Sequence, residues 1–338
     1  MTARKPQLTV LGGGTWGTTV ASIAARKTRT LLWVRDPEIA KAVNETHRNP
    51  RYLAAFDLAP GLRATADLAE AVEDADVLVA GVPSQYLRGV LKQVVEYVRP
   101  FIPVVSLVKG LEQGSLLRMT EVIGEVLPGH PAGVLSGPNI AREVVQGYSA
   151  AATLAMPDHR TAQALQGLVH TSRYRVYTSE DVIGVEIAGA LKNVFAIAVG
   201  FGDGLGAGDN TRAMVITRSL HELTRLGVAM GGRAETLAGL AGMGDLVVTC
   251  ISPHSRNRFV GVELGRGKPL EEIIASMNQV AEGVRTTAAV VRLAAERGVE
   301  MPIAREVDAV LNHRQPVEET YRGLLRVTPG HEVSGEAW

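Results

Sequence analysis

Residues 7–34 read QLTVLGGGTWGTTVASIAARKTRTLLWV, and this stretch decides the fold class of the N-terminal half. An apolar run at residues 7–12 leads into three glycines, and residues 15–27 then have the spacing of a helix. A second apolar run follows at residues 30–34. Apolar runs of this length on either side of a helix are typical of buried parallel strands. The stretch therefore predicts a strand–helix–strand unit.

The turn of this unit carries a glycine pattern. Gly12, Gly14 and Gly17 satisfy G-x-G-x-x-G directly after a strand and at the start of a helix. In that context the first glycine permits a tight turn, the second lets a pyrophosphate approach the backbone, and the third lets the helix pack closely on the strand. The helix N-terminus also attracts phosphate. We predict a dinucleotide site here, and the alternative is a glycine-rich turn without a ligand.

The rest of the first half continues the alternation. Residues 67–75 have helical spacing, and further apolar runs without polar alternation follow at residues 76–82, 103–108, 133–136 and 150–155. Strand and helix in repetition predict a mostly parallel, doubly wound α/β sheet of the Rossmann type.

From residue 181 onward, strand-like runs nearly vanish. Helical spacing covers residues 181–199, 210–226, 233–240 and 286–297, and glycine-rich breaks lie at residues 200–208 and 227–232. The sequence therefore predicts an all-helical C-terminal domain. With a boundary near residues 178–181, we expect a dinucleotide-binding domain at 1–180 and a helical domain for substrate binding and catalysis at 181–338.

Composition excludes several classes of protein. The net charge is zero, so the whole surface has no field that favours nucleic acid or an anionic membrane, and we expect neither as a partner. Cys250 is the only cysteine, which rules out an intramolecular disulfide framework, fits a reducing cytoplasm and leaves us expecting no metal site. The N-terminus lacks the features of a signal peptide, and we also expect no membrane-spanning helix.

Two adjacent charges follow the second apolar run and bear on the choice of dinucleotide. An acid at this point binds a ribose 2′-hydroxyl and favours NAD, whereas an arginine accepts the 2′-phosphate of NADP. The chain has Arg35 and Asp36 side by side. Arg35 comes first after the strand and slightly favours NADP, but both side chains are also what a solvated turn would carry.

Polar residues stand where other strands are predicted to end, which is where open α/β sheets bind their ligands. Ser84 follows one strand, Lys109 follows the next, and Gly137 and Asn139 follow a third. Lys109 would suit an anionic substrate or cofactor, and the alternative is an exposed lysine at a strand end.

Lys192 and Asn193 interrupt an apolar helical segment, VEIAGALKNVFAIAVG. Polar side chains in such a segment are costly to bury unless they have partners, so they are candidates for a chemical role. Glu186 is six residues away and does not share a helix face with Lys192, which makes it a poor partner. The alternative is a lysine whose ammonium reaches solvent beside the helix.

A second polar group lies farther along the chain. Asp245 follows GMG, so we expect it on a tight loop from which it could orient the Lys192 ammonium or help place a reacting oxygen, and Thr249 follows four residues later. Ser255 begins the run SRNR, in which it is a candidate helix N-cap, and the forked donors of arginine suit a phosphate. The alternative is an ordinary helix start with surface arginines.

Together these segments resemble the NAD(P)-dependent glycerol-3-phosphate dehydrogenases over about residues 7–325. The resemblance rests on GGGTWGT (12–18), NPRYL (49–53), VKGLE (108–112), LSGPN (135–139), GALKNVFAIAVGFGDGLGAGDNTRA (189–213), AGMGDLVVTC (241–250), SRNRFVG (255–261) and VAEGVRT (280–286). It implies a Rossmann-type domain followed by a helical domain like that of 6-phosphogluconate dehydrogenase. It further implies a cytoplasmic homodimer that uses NADP or NAD to reduce dihydroxyacetone phosphate to sn-glycerol 3-phosphate for phospholipid synthesis.

The resemblance also implies residue roles. Lys192 matches the general acid and base. The positions that match substrate contacts are Lys109, Gly137, Asn139, Asn193, Asp245, Thr249, Ser255, Arg256 and Asn257. Beside the glycine fingerprint, the positions that match cofactor contacts are Thr15, Trp16, Arg35, Lys109, Ala141, Arg256, Val280 and Glu282.

Two features depart from the family. Many bacterial relatives have Ser or Thr where this chain has Asn139, and because an amide can still donate to a substrate oxygen we expect function to survive. The residues after about Arg326 have no clear counterpart, and we expect a mobile tail there.

Other functions remain open at this stage. A sister dehydrogenase acting on a hydroxy acid or on 6-phosphogluconate shares the fold, and a substrate panel would separate it. A silent dinucleotide-binding sensor would bind nucleotide without turnover, but it gives no reason for Lys192, Asp245 and Arg256 to occur together. A structural partner protein made of apolar helices would leave the glycine fingerprint unused.

Overall fold

The computed structural model describes residues 5–277 and 281–325 of the chain. The chain forms two compact units, Met1–Glu186 and Ile187–Trp338. The expected tail after Arg326 lies outside the described residues.

The first unit alternates strands with helices. Its elements in chain order are β1 (Gln7–Leu11), α1 (Thr15–Ala24), β2 (Arg29–Trp33), α2 (Pro37–Thr46), β3 (Leu62–Thr65), α3 (Leu68–Glu73), β4 (Val77–Ala80), α4 (Ser84–Val94), β5 (Val104–Ser106), α5 (Met119–Val126), β6 (Ala132–Ser136), α6 (Ala141–Val145), β7 (Ala150–Ala155), α7 (His159–Val169) and β8 (Tyr174–Ser179).

All eight strands belong to one sheet, in the order β3-β2-β1-β4-β5-β6-β7-β8. Every neighbouring pair is parallel except β6 and β7. The order reverses between β1 and β4, so the connections leave a crevice at the carboxyl ends of these two strands, where doubly wound sheets bind ligands. The predicted Rossmann-type sheet is confirmed.

The strands are apolar because both faces of the sheet are covered. Val10, Leu32 and Val79 lie in a buried cluster on one face. Leu11 and Leu78 alternate with them and belong to a second buried cluster on the other face. Burial of consecutive side chains explains why these runs lack polar alternation.

Every strand listed from an apolar run is present, but two strands were missed. β3 reads LRAT and β8 reads YRVYTS, and each has exposed side chains in its pattern. Both lie at the ends of the strand order, where one edge of the strand has no neighbour. Edge strands bury less of their surface, so their sequences lack a continuous apolar run.

The second unit is helical throughout its described part, as the sequence predicted. The helices are α8 (Val182–Gly204), α9 (Asp209–Ala229), α10 (Ala234–Leu237), α11 (Asp245–Ile251), α12 (Arg256–Gly265), α13 (Leu270–Ala275), α14 (Glu282–Glu296), α15 (Pro302–His313) and α16 (Val317–Leu325). A π-helical turn, Leu240–Gly244, leads into α11.

The glycine-rich break predicted at residues 200–208 is wrong in its first half, because α8 continues to Gly204. Its glycines serve packing instead. A Cβ at Gly200 would overlap the carbonyl of Arg258, and one at Gly261 would overlap the carbonyl of Ile197. α8 and α12 therefore cross with their backbones in contact, which brings polar residues of both helices together.

Two helical stretches are long and apolar enough to cross a membrane by length and composition alone, Val182–Gly204 and Ala234–Ile251. The sequence had led us to expect none, because polar residues interrupt the apolar runs. A few such residues leave the mean hydropathy of these two stretches high. The most apolar window of Val182–Gly204 is 89% buried within the protein, as in the core helix of a globular domain, whereas that of Ala234–Ile251 is 33% buried.

Candidate active site

The glycine-rich turn after β1 is held tightly. Gly12 has φ 122°, a conformation that side chains disfavour, and its N–H donates to the carbonyl of Trp33 at 3.0 Å. A Cβ at Gly17 would overlap the carbonyl oxygen of Gly12. The first and third glycines are therefore required by the fold itself, because α1 lies directly against the turn.

Gly14 differs, because a Cβ built on it would meet no atom of the described residues within 4 Å. It precedes α1 as the N-cap residue and makes no side-chain cap, so the first turn of the helix presents backbone N–H groups beside an open space. The indole Nε1 of Trp16 is buried without a hydrogen-bond partner in the described structure. Open space beside a helix N-terminus and an unpaired buried donor fit the pyrophosphate of a dinucleotide.

The two charges after β2 have different environments. Asp36 is the N-cap of α2, and its carboxylate accepts the N–H of Glu38 at 3.0 Å. Arg35 is exposed and makes no hydrogen bond or ion pair with the described residues. The acid is thus engaged by its own helix, while the arginine remains available to a ligand.

Three polar groups lie at the carboxyl ends of β5 and β6. The ammonium of Lys109 donates to the carbonyl of Gly137 at 3.1 Å. Gly137 and Asn139 follow β6 directly, and both polar atoms of the Asn139 amide are buried without a partner among the described residues. Ala141 begins α6 just beyond them. A buried amide without partners costs free energy, so it is a group in position to bind a ligand.

The second unit places Lys192 in a network of buried polar groups. Lys192 is 5% exposed and Asp245 is 2% exposed, and the ammonium lies 3.0 Å from the carboxylate. The ammonium also donates to the hydroxyl of Thr249 at 2.6 Å, and that hydroxyl donates to the carbonyl of Asp245 at 2.6 Å. The pairing of Lys192 with Asp245, one of the two roles that the sequence suggested for this carboxylate, is confirmed. The expected loop is wrong, because the glycines before Asp245 form the π-helical turn and Asp245 begins α11.

Two amide side chains accompany Lys192. Asn193 follows it in the sequence on α8, and Asn257 lies on α12, which crosses α8. Asn257 donates to the Oδ1 of Asn193 at 2.8 Å, and its own Oδ1 accepts the N–H of Gly283 at 2.9 Å. Both side chains are buried. Glu282 begins α14 immediately before Gly283. The network therefore joins α8, α12 and α14 around the two asparagines.

The run Ser-Arg-Asn-Arg divides into different tasks. Ser255 caps α12 by accepting the N–H of Arg258 at 3.2 Å, as its position predicted. Arg258 makes a forked pair with Asp203, at 2.7 and 2.6 Å, so it stabilises the crossing of α8 and α12. Arg256 is exposed. Val280 lies outside the described residues.

Several buried polar groups were not found from the sequence. Asp203, at the end of α8, also pairs with Arg212 at 2.7 Å. Asn49 lies in the NPRYL motif and contacts the glycine-rich turn. Its Nδ2 donates to the carbonyl of Gly13 at 2.9 Å. Both residues lie in motifs that the sequence analysis quoted, at residues 49–53 and 189–213, but their partners could not be read from local spacing.

Burial raises the pKa values of several ionisable side chains, among them Glu186, Glu222 and Cys250. Burial raises the pKa of Glu186, and its partners Arg118, at 2.9 Å, and Thr120 oppose the rise. Burial also raises the pKa of Glu222 to about 7, although its carboxylate accepts the N–H groups of Ile303 and Ala304 at the start of α15. Burial raises the pKa of the Cys250 thiol to about 12.

A doubly wound sheet with the dinucleotide fingerprint and a helical unit with a buried lysine define the class of two-domain, nicotinamide-dependent dehydrogenases. The N- and C-terminal models of NAD-dependent glycerol-3-phosphate dehydrogenase match residues 7–162 and 181–322. The chain therefore belongs to the NAD-dependent glycerol-3-phosphate dehydrogenase family.

Individual relatives agree over almost the whole chain. The glycerol-3-phosphate dehydrogenase [NAD(P)+] of Mycobacterium avium is 62% identical over 99% of this chain and 98% of its own length. Its counterpart from Thermobifida fusca is 50% identical over 94% and 96%. The crystal structure of glycerol-3-phosphate dehydrogenase from Coxiella burnetii superposes with a TM-score of 0.91 at 36% identity, covering 96% of this chain and 99% of that one.

Proposed function

We propose that this protein catalyses the reversible, NAD(P)H-dependent reduction of dihydroxyacetone phosphate to sn-glycerol 3-phosphate. The observation that carries the proposal is the buried Lys192–Asp245–Thr249 network in a chain of this family. Dinucleotide binding is assigned to the first domain, at about residues 1–180, and substrate binding with catalysis to the helical domain, at about 181–338.

Cofactor binding rests on the glycine-rich turn and the start of α1. When bound, the reduced nicotinamide supplies the hydride. The residues assigned to hold the dinucleotide are Gly12, Gly14, Thr15, Trp16, Gly17, Arg35, Lys109, Ala141, Arg256, Val280 and Glu282. The open side of Gly14 and the N-terminus of α1 support the pyrophosphate position.

Lys192 is the general acid in the direction of reduction. Its ammonium is held from two sides, by Asp245 and by Thr249, so the Nζ proton has a fixed position at which to meet the carbonyl oxygen of the substrate. In the reverse direction the neutral amine accepts the hydroxyl proton. Proton transfer by a positioned group contributes roughly 10²- to 10⁴-fold to the rate.

Substrate binding is assigned to donors around the lysine and at the ends of β5 and β6. Arg256 is exposed and suits the phosphate. The Nδ2 of Asn257 uses one hydrogen on Asn193 and has a second to offer. The remaining positions assigned to substrate are Lys109, Gly137, Asn139, Asn193, Asp245, Thr249 and Ser255.

For the dinucleotide, we propose a preference for NADPH over NADH. Asp36 is occupied as the cap of α2, whereas Arg35 makes no hydrogen bond or ion pair with the described residues. A free guanidinium beside the end of β2 suits the 2′-phosphate that distinguishes NADPH.

The deciding experiment follows the loss of absorbance of the reduced nicotinamide with dihydroxyacetone phosphate, with NADPH and NADH in parallel. Oxidation that requires the phosphorylated ketone, and that is much slower with unphosphorylated dihydroxyacetone, supports the proposal. A faster rate with NADPH supports the role of Arg35. No oxidation by a folded protein that binds nucleotide would contradict the reaction and favour a sister dehydrogenase or a silent sensor.

The cellular setting follows from the family. We propose that the product supplies the glycerol backbone of phospholipids, that the enzyme is cytoplasmic, and that it is a homodimer with no membrane or nucleic-acid partner. Light scattering on the purified protein tests the oligomeric state, and a mass of one chain, 35.9 kDa, would contradict the dimer.

A further inference from the structure

The segment between α2 and β3 contributes a buried side chain to the glycine-rich turn. Asn49 is 0% exposed, and its Nδ2 donates to the carbonyl of Gly13 at 2.9 Å and to the hydroxyl of Thr18 at 2.9 Å. The Thr18 hydroxyl donates to the same Gly13 carbonyl at 3.1 Å. The carbonyl of Gly13 therefore accepts two side-chain hydrogen bonds, one from α1 and one from a separate part of the chain.

Asn49 itself is fixed in this orientation. Its Oδ1 accepts the N–H groups of Arg51 and Tyr52 at 3.3 and 3.2 Å, and its backbone carbonyl accepts the N–H of Leu53 at 2.9 Å. Leu53 is buried in the core cluster that includes Val34. Because both ends of the amide are engaged, the side chain cannot turn away from Gly13 without losing several hydrogen bonds.

The peptide between Gly13 and Gly14 needs such a support. Gly13 cannot carry a side chain, because a Cβ would overlap the side chain of Val34. Glycine also has more backbone freedom than any other residue. In a trans peptide the carbonyl and the next N–H point in opposite directions, so fixing the Gly13 carbonyl fixes the Gly14 N–H on the other side. The turn is thereby ordered before any ligand binds.

We propose that Asn49 is a positioning residue for dinucleotide binding, which acts through the Gly13 carbonyl and without touching the ligand. This inference rests on the proposed function, because it takes the open side of Gly14 as the place of the pyrophosphate. Asn49 orders the turn in the ligand-free protein. Without Asn49 the turn must be ordered when the dinucleotide binds, and the entropic cost of that ordering weakens binding.

The test measures the dissociation constants of NADPH and NADH by fluorescence of the bound reduced nicotinamide. The melting temperature of the ligand-free protein is measured alongside, to separate loss of stability from loss of binding. Asn49→Ala and Asn49→Asp should each raise both dissociation constants about tenfold, the factor expected for one lost hydrogen bond. Thr18→Val removes the second donor and should raise them less. At saturating dinucleotide, kcat should stay within about twofold of wild type, since the reacting groups are untouched.

Ser22→Ala is the matched control. The Ser22 hydroxyl on α1 accepts the N–H of Ala59 at 2.9 Å, and Ala59 lies in the same segment between α2 and β3 as Asn49. Loss of this hydrogen bond loosens that segment without touching the glycine-rich turn. It should lower the melting temperature like Asn49→Ala and leave both dissociation constants unchanged.

Weaker dinucleotide binding by the Asn49 variants, with the Ser22 variant unaffected, supports the inference. Wild-type affinity in a destabilised Asn49→Ala protein would show that the residue serves folding alone and overturn it. If Asn49→Ala does not fold, Thr18→Val decides in the same way. Wild-type protein that binds neither dinucleotide would overturn the proposed function and this inference together, a pattern distinct from failure of the Asn49 variants alone.

Discussion

The glycine-rich turn of the first unit and the lysine network of the second unit present different chemical groups. The turn offers backbone N–H groups around a glycine with open space beside it. The network offers the side chains of Lys192, Asp245 and Thr249, which are held against one another in the interior. In the proposed function, the first region binds through backbone that side chains would obstruct. The second region acts through side chains whose removal leaves buried partners unpaired.

This difference predicts opposite responses to mutation. Where the backbone binds, adding atoms should be harmful and trimming side chains should matter little. Where side chains act, removing atoms should be harmful, and burial should make stability depend on pH.

The largest effect is expected at Lys192. Lys192→Ala should lower kcat by roughly 10²- to 10⁴-fold, because the proton donor is lost, while NADPH still binds. Steady-state rates with dihydroxyacetone phosphate measure the turnover, and the dissociation constant of NADPH measures cofactor binding separately. Lys268→Ala, on a surface lysine paired with Glu263, is the control and should retain full turnover. Unchanged turnover in Lys192→Ala would remove the contrast between the two regions.

A buried carboxylate of the helical unit should make stability depend on pH. The pKa of Glu222 is about 7 in the folded protein against an ordinary 4.5, so its contribution is complete below pH 4.5 and lost as the pH rises through 7. A shift of this size corresponds to at most about 3 kcal/mol. Glu222→Gln should therefore flatten the fall in unfolding free energy between pH 5 and 8, measured by urea denaturation.

Glu96→Gln, on an exposed glutamate of the first unit, is the control for this measurement. It should reproduce the wild-type pH dependence. A Glu222→Gln protein with the same slope as wild type would contradict the role of this carboxylate.

Two glycines separate folding from binding within the turn. Gly17→Ala places a Cβ on the carbonyl of Gly12 and should cost about 1–3 kcal/mol of stability. A Cβ in Gly14→Ala meets no atom within 4 Å in the part of the chain that the structure describes, and Gly14 has φ −67°. This variant should therefore melt like wild type and yet bind NADPH about tenfold more weakly. Calorimetry with and without nucleotide tests both, and equal loss of stability in the two variants would contradict the distinction.

The smallest effect concerns the choice of dinucleotide. Arg35→Ala should reduce the ratio of kcat/KM for NADPH over NADH by about tenfold, the worth of one charged hydrogen bond. Asp36→Asn preserves the cap of α2 and should leave that ratio unchanged. A ratio that responds to Asp36 and not to Arg35 would reverse the proposed preference.

The first unit could be predicted from the sequence because its information is local. A strand, a glycine pattern and a helix follow one another within residues 7–34, and each signal depends on its neighbours in the chain. The strand predicted at residues 150–155 is the observed β7, because its continuous apolar run is also a local signal. Edge strands β3 and β8 escaped detection, since partial burial leaves them without a continuous apolar run.

The second unit could be predicted only in part. The motifs of Lys192, Asp245 and Ser255 were visible, and the pairing of Lys192 with Asp245 was suggested by chemistry. The contact of Asp203 with Arg258 joins residues 55 positions apart, and in the first unit the contact of Asn49 with Gly13 joins residues 36 positions apart. Such partners depend on how helices cross or loops return, and no local spacing encodes that.

Cys250 gives the helical unit a built-in reporter of its own opening. It is the only thiol in the chain, it is 0% exposed, and burial raises its pKa to about 12. A thiol in that state does not react with disulfide reagents while the helix α11 is packed, because the thiolate is the reactive form. Each labelled molecule must therefore have opened α11, the helix that carries Asp245 and Thr249, so the labelling rate in native buffer measures how often the network of Lys192, Asp245 and Thr249 comes apart.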